Sequence, residues 1–289
     1  MIDLVALVQS ALELEPLPAS VTRLASTVAD PDSDLQDVVE ILEFDQALTG
    51  RLLRSANSAS SASSSPITSV RAAVLRLGSG SILSLATASC VQTRMNQSLP
   101  AYGLGEGALW RHSVAAAVAA ETVNRAAKRK APPESFTAAL LHDVGKLTLA
   151  RFLDDEVVQI LRRADARGLG PSLQAETEVL GVNHAELGGL IAQHWSLPAT
   201  IVQGIVFHHE PGAVSNTHWS ELPGVQAVCD VVHVGNILAQ RLDAETTGVE
   251  VCEPLDAGSM ARLGLTDAEL LRLSAEAADR LEHVLVRYR

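Results

Sequence analysis

Ala139-Leu140-Leu141-His142-Asp143-Val144-Gly145-Lys146 sets a histidine and an aspartate side by side in an otherwise apolar stretch. Residues 133–152 around it, entered through Pro132-Pro133 as a natural helix start, read as one helix. Consecutive helical residues point about 100° apart, so these two side chains can converge on one ion between their directions. The carboxylate can bridge two ions and the imidazole is a neutral donor. Without such a partner, an aspartate among Leu, Val and Ala is costly to bury. Gly145 permits close approach, and Lys146, one turn after His142, can meet an anionic oxygen. Alone, the doublet also fits a hydrogen-bonded polar pair at a helix edge.

The flanking sequence keeps the helical period. Residues 3–14 are amphipathic and stop at Pro16-Leu17-Pro18. Val21, Leu24, Ala25 and Val28 share one helical face. Asp30-Pro31-Asp32-Ser33-Asp34 is a turn rich in capping residues, and Asp45 opens the next helix. Residues 55–65, rich in serine and alanine, read as a structured loop before a helix that runs from Ile67 and is stopped at Gly78; another helix covers 82–91. Residues 97–107, with Pro100 and three glycines, mark a boundary between parts 1–104 and 105–289. Beyond it, helices are expected at 110–125, 133–152, 154–167, 171–180, 184–195, 198–209, 222–241, 256–263 and 267–287. Alternating β-branched runs are scarce, so the fold class is all-α.

Composition agrees with helix packed on helix: 47% of the 289 residues are hydrophobic but only 3% aromatic. A net charge of −12 repels phosphate backbones and disfavours generic nucleic-acid binding. Cys90, Cys229 and Cys252 form no CxxC pair and read as reduced core thiols, which points to the cytoplasm. No leader and no apolar run of about 18 residues is found, so neither export nor a membrane span is expected.

Other histidines and aspartates interrupt apolar helices in the same way. His112 opens an Ala/Val helix, His184 follows the N-cap candidate Asn183, and His208-His209 closes the apolar run that begins at Ile201. Asp230 interrupts Val225-Gln226-Ala227-Val228-Cys229-Asp230-Val231-Val232, where a charge needs a partner. His112, His142, Asp143, His184, His208, His209 and Asp230 are therefore the candidate metal ligands. Lys146 and Arg111 are candidate phosphate contacts, whereas His194 and His233 read as ordinary core or surface histidines, and His218 and His283 as solvated.

In the order H, HD, H, HH, D these residues resemble the HD superfamily of metal-dependent phosphohydrolases, and the extra histidines resemble its HD-GYP subgroup. The Gly-Tyr-Pro signature is absent: the chain reads His208-His209-Glu210-Pro211-Gly212, and Ala108 stands where some relatives have a glutamate. Leu14-Glu15-Pro16-Leu17-Pro18, Asp45-Gln46-Ala47-Leu48-Thr49, Leu52-Leu53-Arg54-Ser55-Ala56-Asn57-Ser58, His184-Ala185-Glu186-Leu187-Gly188 and Trp195-Ser196-Leu197-Pro198 are similar to the HDOD family over roughly residues 12–240. That resemblance implies an N-terminal helical bundle packed on an HD-type helical domain, with Asn57 holding its loop through backbone hydrogen bonds. It also implies a bacterial regulatory module.

Two functions stay open. One is a signalling module that binds a protein partner or a small anionic ligand and keeps a metal site, with two ions of Fe, Mn, Zn or Ni. The other is a metal-dependent phosphohydrolase in which Asp143 and Lys146 carry the chemistry. A di-iron oxygenase is a remoter implication of the superfamily resemblance. The oligomeric state is not legible in the sequence.

Overall fold

The computed structural model describes residues 3–57, 67–164, 173–247 and 253–287. Among them the chain is all helical, and the one β-bridge, Leu99 with Leu104, closes a tight turn.

The first helices follow their punctuation. Asp3 caps α1 (Leu4–Leu12), Pro18 precedes α2 (Ala19–Ala29), and Asp34 with Asp37 forms a capping box on α3 (Leu35–Glu43). Asp45 caps α4 (Gln46–Ala56) and Ser69 caps α5 (Val70–Leu77). Gly78, at φ +78°, turns the chain into α6 (Ser79–Met95), which extends past the expected 82–91 at both ends, where residues 79–81 and 92–94 carry no large apolar side chain. Asn57 acts as expected: its amide donates to the carbonyls of Leu53 and Ile67 and accepts from the Ile67 N–H. The serine-rich loop falls on residues 58–66, outside the described residues, while 55–57 finish α4.

The remainder builds a bundle around α7 (Ala108–Ala126), in which residues 114–120 are fully buried. It packs on α14 (Val225–Thr247), on α8 (Ser135–Leu141) and on α16 (Asp267–Arg287). Gly235 makes the α7–α14 approach possible, since a Cβ there would sit 2.7 Å from the Ala116 carbonyl oxygen. Around this pair lie α9 (Lys146–Leu149), α10 (Asp155–Ala164), α11 (Leu173–Leu180), α12 (His184–His194), α13 (Ala199–Val206) and α15 (Ala257–Leu263). One apolar cluster runs from Leu7 through α7 to Leu281. Trp195 pins the N-terminal helices to it, donating its indole N–H to the Leu14 carbonyl at 3.5 Å while its own carbonyl accepts from the Thr22 hydroxyl at 3.3 Å.

One expectation is corrected. Residues 133–152 are not a continuous helix: α8 ends at Leu141, residues 142–145 form tight turns, and α9 begins at Lys146. The backbone stays right-handed at His142 and Gly145, so the apolar period continues through a break it does not reveal. No single helix among the described residues is long and apolar enough to cross a membrane; α5 and α6 pass that test only as a pair bent by 104°.

The Asp45 carboxylate accepts from the N–H groups of Ala47 and Leu48, both at 3.0 Å, and from the Ser20 hydroxyl at 2.7 Å. These bonds, led by that from Leu48, hold its pKa below the ordinary 3.8. A carboxyl depressed in the folded state stabilises it above the unfolded value, and that contribution is lost as pH falls through the folded value. Asp45→Ala should therefore cost about 1 kcal/mol at pH 7. The gap to wild type should narrow below about pH 4. Denaturant unfolding at both pH values checks this, and a gap independent of pH would rule out the cap as its source.

Candidate metal centre

His112 comes from the first turn of α7, His142 and Asp143 from the break after α8, His184 from the start of α12, and His208 with His209 from just beyond α13. Gly145 lets these elements meet. A Cβ at that position would overlap the His184 carbonyl oxygen and lie 2.7 Å from the Gly188 nitrogen. The site is nearly closed: His142, Asp143, His184 and His208 are at most 2% exposed, and it opens over His112, His209 and Lys146.

Two donor groups result, His112–His142–Asp143 and His184–His208–His209, with the donor atoms of each within 4.8 Å of one another. Asp143 lies between them. Its Oδ2 is 3.4 Å from His142 Nε2 and 3.6 Å from His112 Nε2; its Oδ1 is 3.2 Å from His184 Nε2 and 3.9 Å from His208 Nε2.

Every imidazole is held at Nδ1 by an acceptor. His112 faces Asp243, His184 faces Glu176 and His209 faces Glu253, each at 2.7 Å. His142 and His208 use backbone carbonyls left free at helix ends, Ala139 at 2.7 Å and Ile205 at 2.6 Å. Nδ1 therefore carries the proton, and in each neutral ring Nε2 presents a lone pair. These nitrogens face one another: His184 and His209 Nε2 are 3.0 Å apart, and His112 and His142 Nε2 are 3.3 Å apart. Two nitrogens bound to one ion at about 2.1 Å sit at about that separation. Asp143 Oδ1 and His208 Nε2 are buried with no hydrogen bond. Such a concentration of acceptors around a buried carboxylate fits a divalent cation.

Protons and Lys146 are the alternative charge source. Lys146 Nζ lies 2.7 Å from Asp143 Oδ2. Burial opposes ionisation of Asp143, but Lys146 and His142 together hold it well below the usual carboxylate range. Burial and neighbouring imidazoles push His208 well below the ordinary histidine value. His184 is different: burial alone would lower it, yet Glu176 and Asp143 raise it to about 9. Tyr102 donates to Glu176 at 2.8 Å and packs its ring 5.7 Å from Lys146 Nζ, so it braces both.

Asp230 is not brought to this centre. Its carboxylate accepts two bonds from Arg262 Nε and one, at 2.7 Å, from Arg262 Nη2, and it accepts from the Ser259 hydroxyl at 2.8 Å, tying α14 to α15. The α14 side chain that faces His112 Nε2 is Asn236, whose Oδ1 lies 3.1 Å from it. Six residues separate the two positions, about 9 Å along a helix and a third of a turn around it. His233 is the satisfied core histidine expected, bonded to the His208 carbonyl and the Asp256 N–H. His194, His218 and His283 are exposed, and Arg111 lies 3.9 Å from Asp243 and 3.7 Å from Glu282. Glu176, Asp243, Glu253 and Asn236 escaped sequence reasoning. For Asn236 and Asp243 the polar stripe Gln226, Asp230, His233, Asn236, Gln240 and Asp243 along α14 was the visible signal, whereas Glu176 and Glu253 lie on other segments.

The sequence profile of the HDOD domain matches residues 14–211. The chain belongs to the HDOD family. It is 26% identical over 198 residues to an uncharacterized protein of Treponema pallidum (strain Nichols), a stretch that makes up 68% of this chain and 38% of that protein. The chain thus spans well under half the length of that relative. Its fold is similar to the crystal structure of an HDOD domain protein of unknown function from Geobacter sulfurreducens, at TM-score 0.66 and 24% identity over 99% of this chain and 98% of that one. It is also similar to a protein of Shewanella amazonensis SB2B provisionally named a phosphohydrolase, at TM-score 0.64 and 27% identity over 95% and 93%. A Marinobacter aquaeolei VT8 protein provisionally named for signal transduction matches at TM-score 0.72 and 20% identity, over 96% and 59%. Asn236, Asp243 and Glu253 lie beyond the HDOD match and still complete its surroundings.

Gly145→Ala tests the packing that makes the centre. The added methyl should force α9 from α12, costing about 1–3 kcal/mol or more. It should also separate Asp143 from His184. Wild-type thermal stability together with unchanged cation binding would show that the close crossing is dispensable.

Proposed function

We propose that this HDOD protein is a cytoplasmic bacterial signalling module whose centre holds two divalent cations, bridged by Asp143, and whose state is read by a protein partner or a small anionic ligand. The observation that carries the reading is the convergence of imidazole Nε2 atoms on a buried carboxylate, with Asp143 Oδ1 and His208 Nε2 left without a hydrogen bond. The ligands would be His112, His142 and Asp143 on one side and His184, His208 and His209 with Asp143 on the other. His/Asp ligation suits Fe, Mn, Zn or Ni. The near-complete burial of Asp143 supports a structural or sensing role over turnover of a large substrate.

The second reading, a metal-dependent phosphohydrolase, is favoured by the opening over His112, His209 and Lys146 and by the likeness to the Shewanella protein's provisional name. Bound cations would supply Lewis acidity and lower the pKa of a coordinated water. Asp143 would be held ionised by Lys146 and His142, and an entering phosphoryl group would draw Lys146 Nζ from Asp143 Oδ2.

Protein purified without chelator should carry about two ions per chain by elemental analysis, and Asp143→Ala should lose them. Below half an ion per chain, the metal-centre reading fails. Ions without Asp143-dependent hydrolysis of nucleotides or phosphodiesters support the signalling module, whereas Asp143-dependent turnover replaces it with the hydrolase.

A further inference from the structure

Asn236 is 1% exposed, and its amide is oriented by its neighbours. Its Nδ2 donates to Glu253 Oε2 at 3.4 Å, and its Oδ1 accepts from Gln240 Nε2 at 3.4 Å while facing His112 Nε2 at 3.1 Å. Because His112 Nδ1 donates to Asp243, that contact sets two acceptors against each other. An amide oxygen so placed is a ligand atom, and it carries no formal charge.

The two sides of Asp143 also differ in what stands behind them. On the His184–His208–His209 side, Glu176 and Glu253 back two of the three imidazoles. A carboxylate behind an imidazole raises its basicity and fixes its orientation, and losing such a partner typically costs ten- to a hundred-fold in affinity. On the His112–His142 side only His112 has a carboxylate behind it, and Lys146 competes for the Asp143 oxygen that faces that side.

We infer that the two cation positions are unequal: the three-histidine side binds tightly, and the His112–His142 side binds weakly because Asn236 supplies a neutral amide oxygen where a carboxylate would supply charge. The inference rests on the metal-centre reading above and adds to it an order of filling and the residue that sets it. The weak position is the exchangeable one, so it is where the cation content of the protein would respond to the surrounding concentration.

Full-length protein stripped by chelator and titrated with Zn²⁺ and with Co²⁺ against a chromophoric competitor tests this. Wild type should fill in two steps at least about tenfold apart. His209→Ala should remove the tight step and His112→Ala the weak one. Asn236→Asp should tighten the weak step by about tenfold or more and leave the tight step in place. The stripped Asn236→Asp protein should melt lower than wild type, through repulsion from Asp143 and Glu253, and recover on adding Zn²⁺. Two ions filling with equal affinity, or a weak step unmoved by Asn236→Asp, would overturn the inequality and leave the metal centre standing. Absence of binding at any concentration would overturn both. If Asn236→Asp fails to fold, the spacing of the wild-type steps and their assignment by the histidine variants decide.

Discussion

Burying Asp143 is the constraint on which the rest depends. A lone carboxylate at 2% exposure among leucine, valine and alanine side chains carries a desolvation cost of several kcal/mol. The fold meets it by gathering four imidazoles and one ammonium onto its two oxygens, with a fifth imidazole, His209, against His184. That gathering requires helix axes closer than ordinary side chains allow. Gly145 against α12 and Gly235 against α7 are the places where the missing Cβ supplies the space.

The imidazoles would not hold their orientation without a further layer of acceptors. Three carboxylates and two helix-terminal carbonyls fix every Nδ1, so rotation or tautomer exchange in any ring breaks a hydrogen bond of 2.6–2.7 Å. Orientation is thereby paid for outside the centre, in Glu176, Asp243 and Glu253, and the donors face inward before any cation arrives.

Much of this was legible in the sequence, for a physical reason. His112, His142, Asp143, His184 and His208 interrupt apolar runs, and a polar group in such a run needs a partner. Asp230 satisfied the same test but found its partner in Arg262, on a helix whose docking no local pattern discloses. Glu176 and Glu253 were invisible because an isolated acidic residue looks like solvated surface until the fold turns it inward. The break between α8 and α9 was hidden because right-handed backbone preserves the spacing of apolar side chains through it.

The segment after α14 gives Glu253 to the centre, while His112 stands at the first turn of α7. The donor set and its supports thus come from sequence positions 112 to 253, and contacts that distant in the chain slow folding. A displacement of α7 against α14 would therefore move His112 relative to Asp243 and Asn236 together, so the pairing of those two helices fixes the exposed edge of the centre.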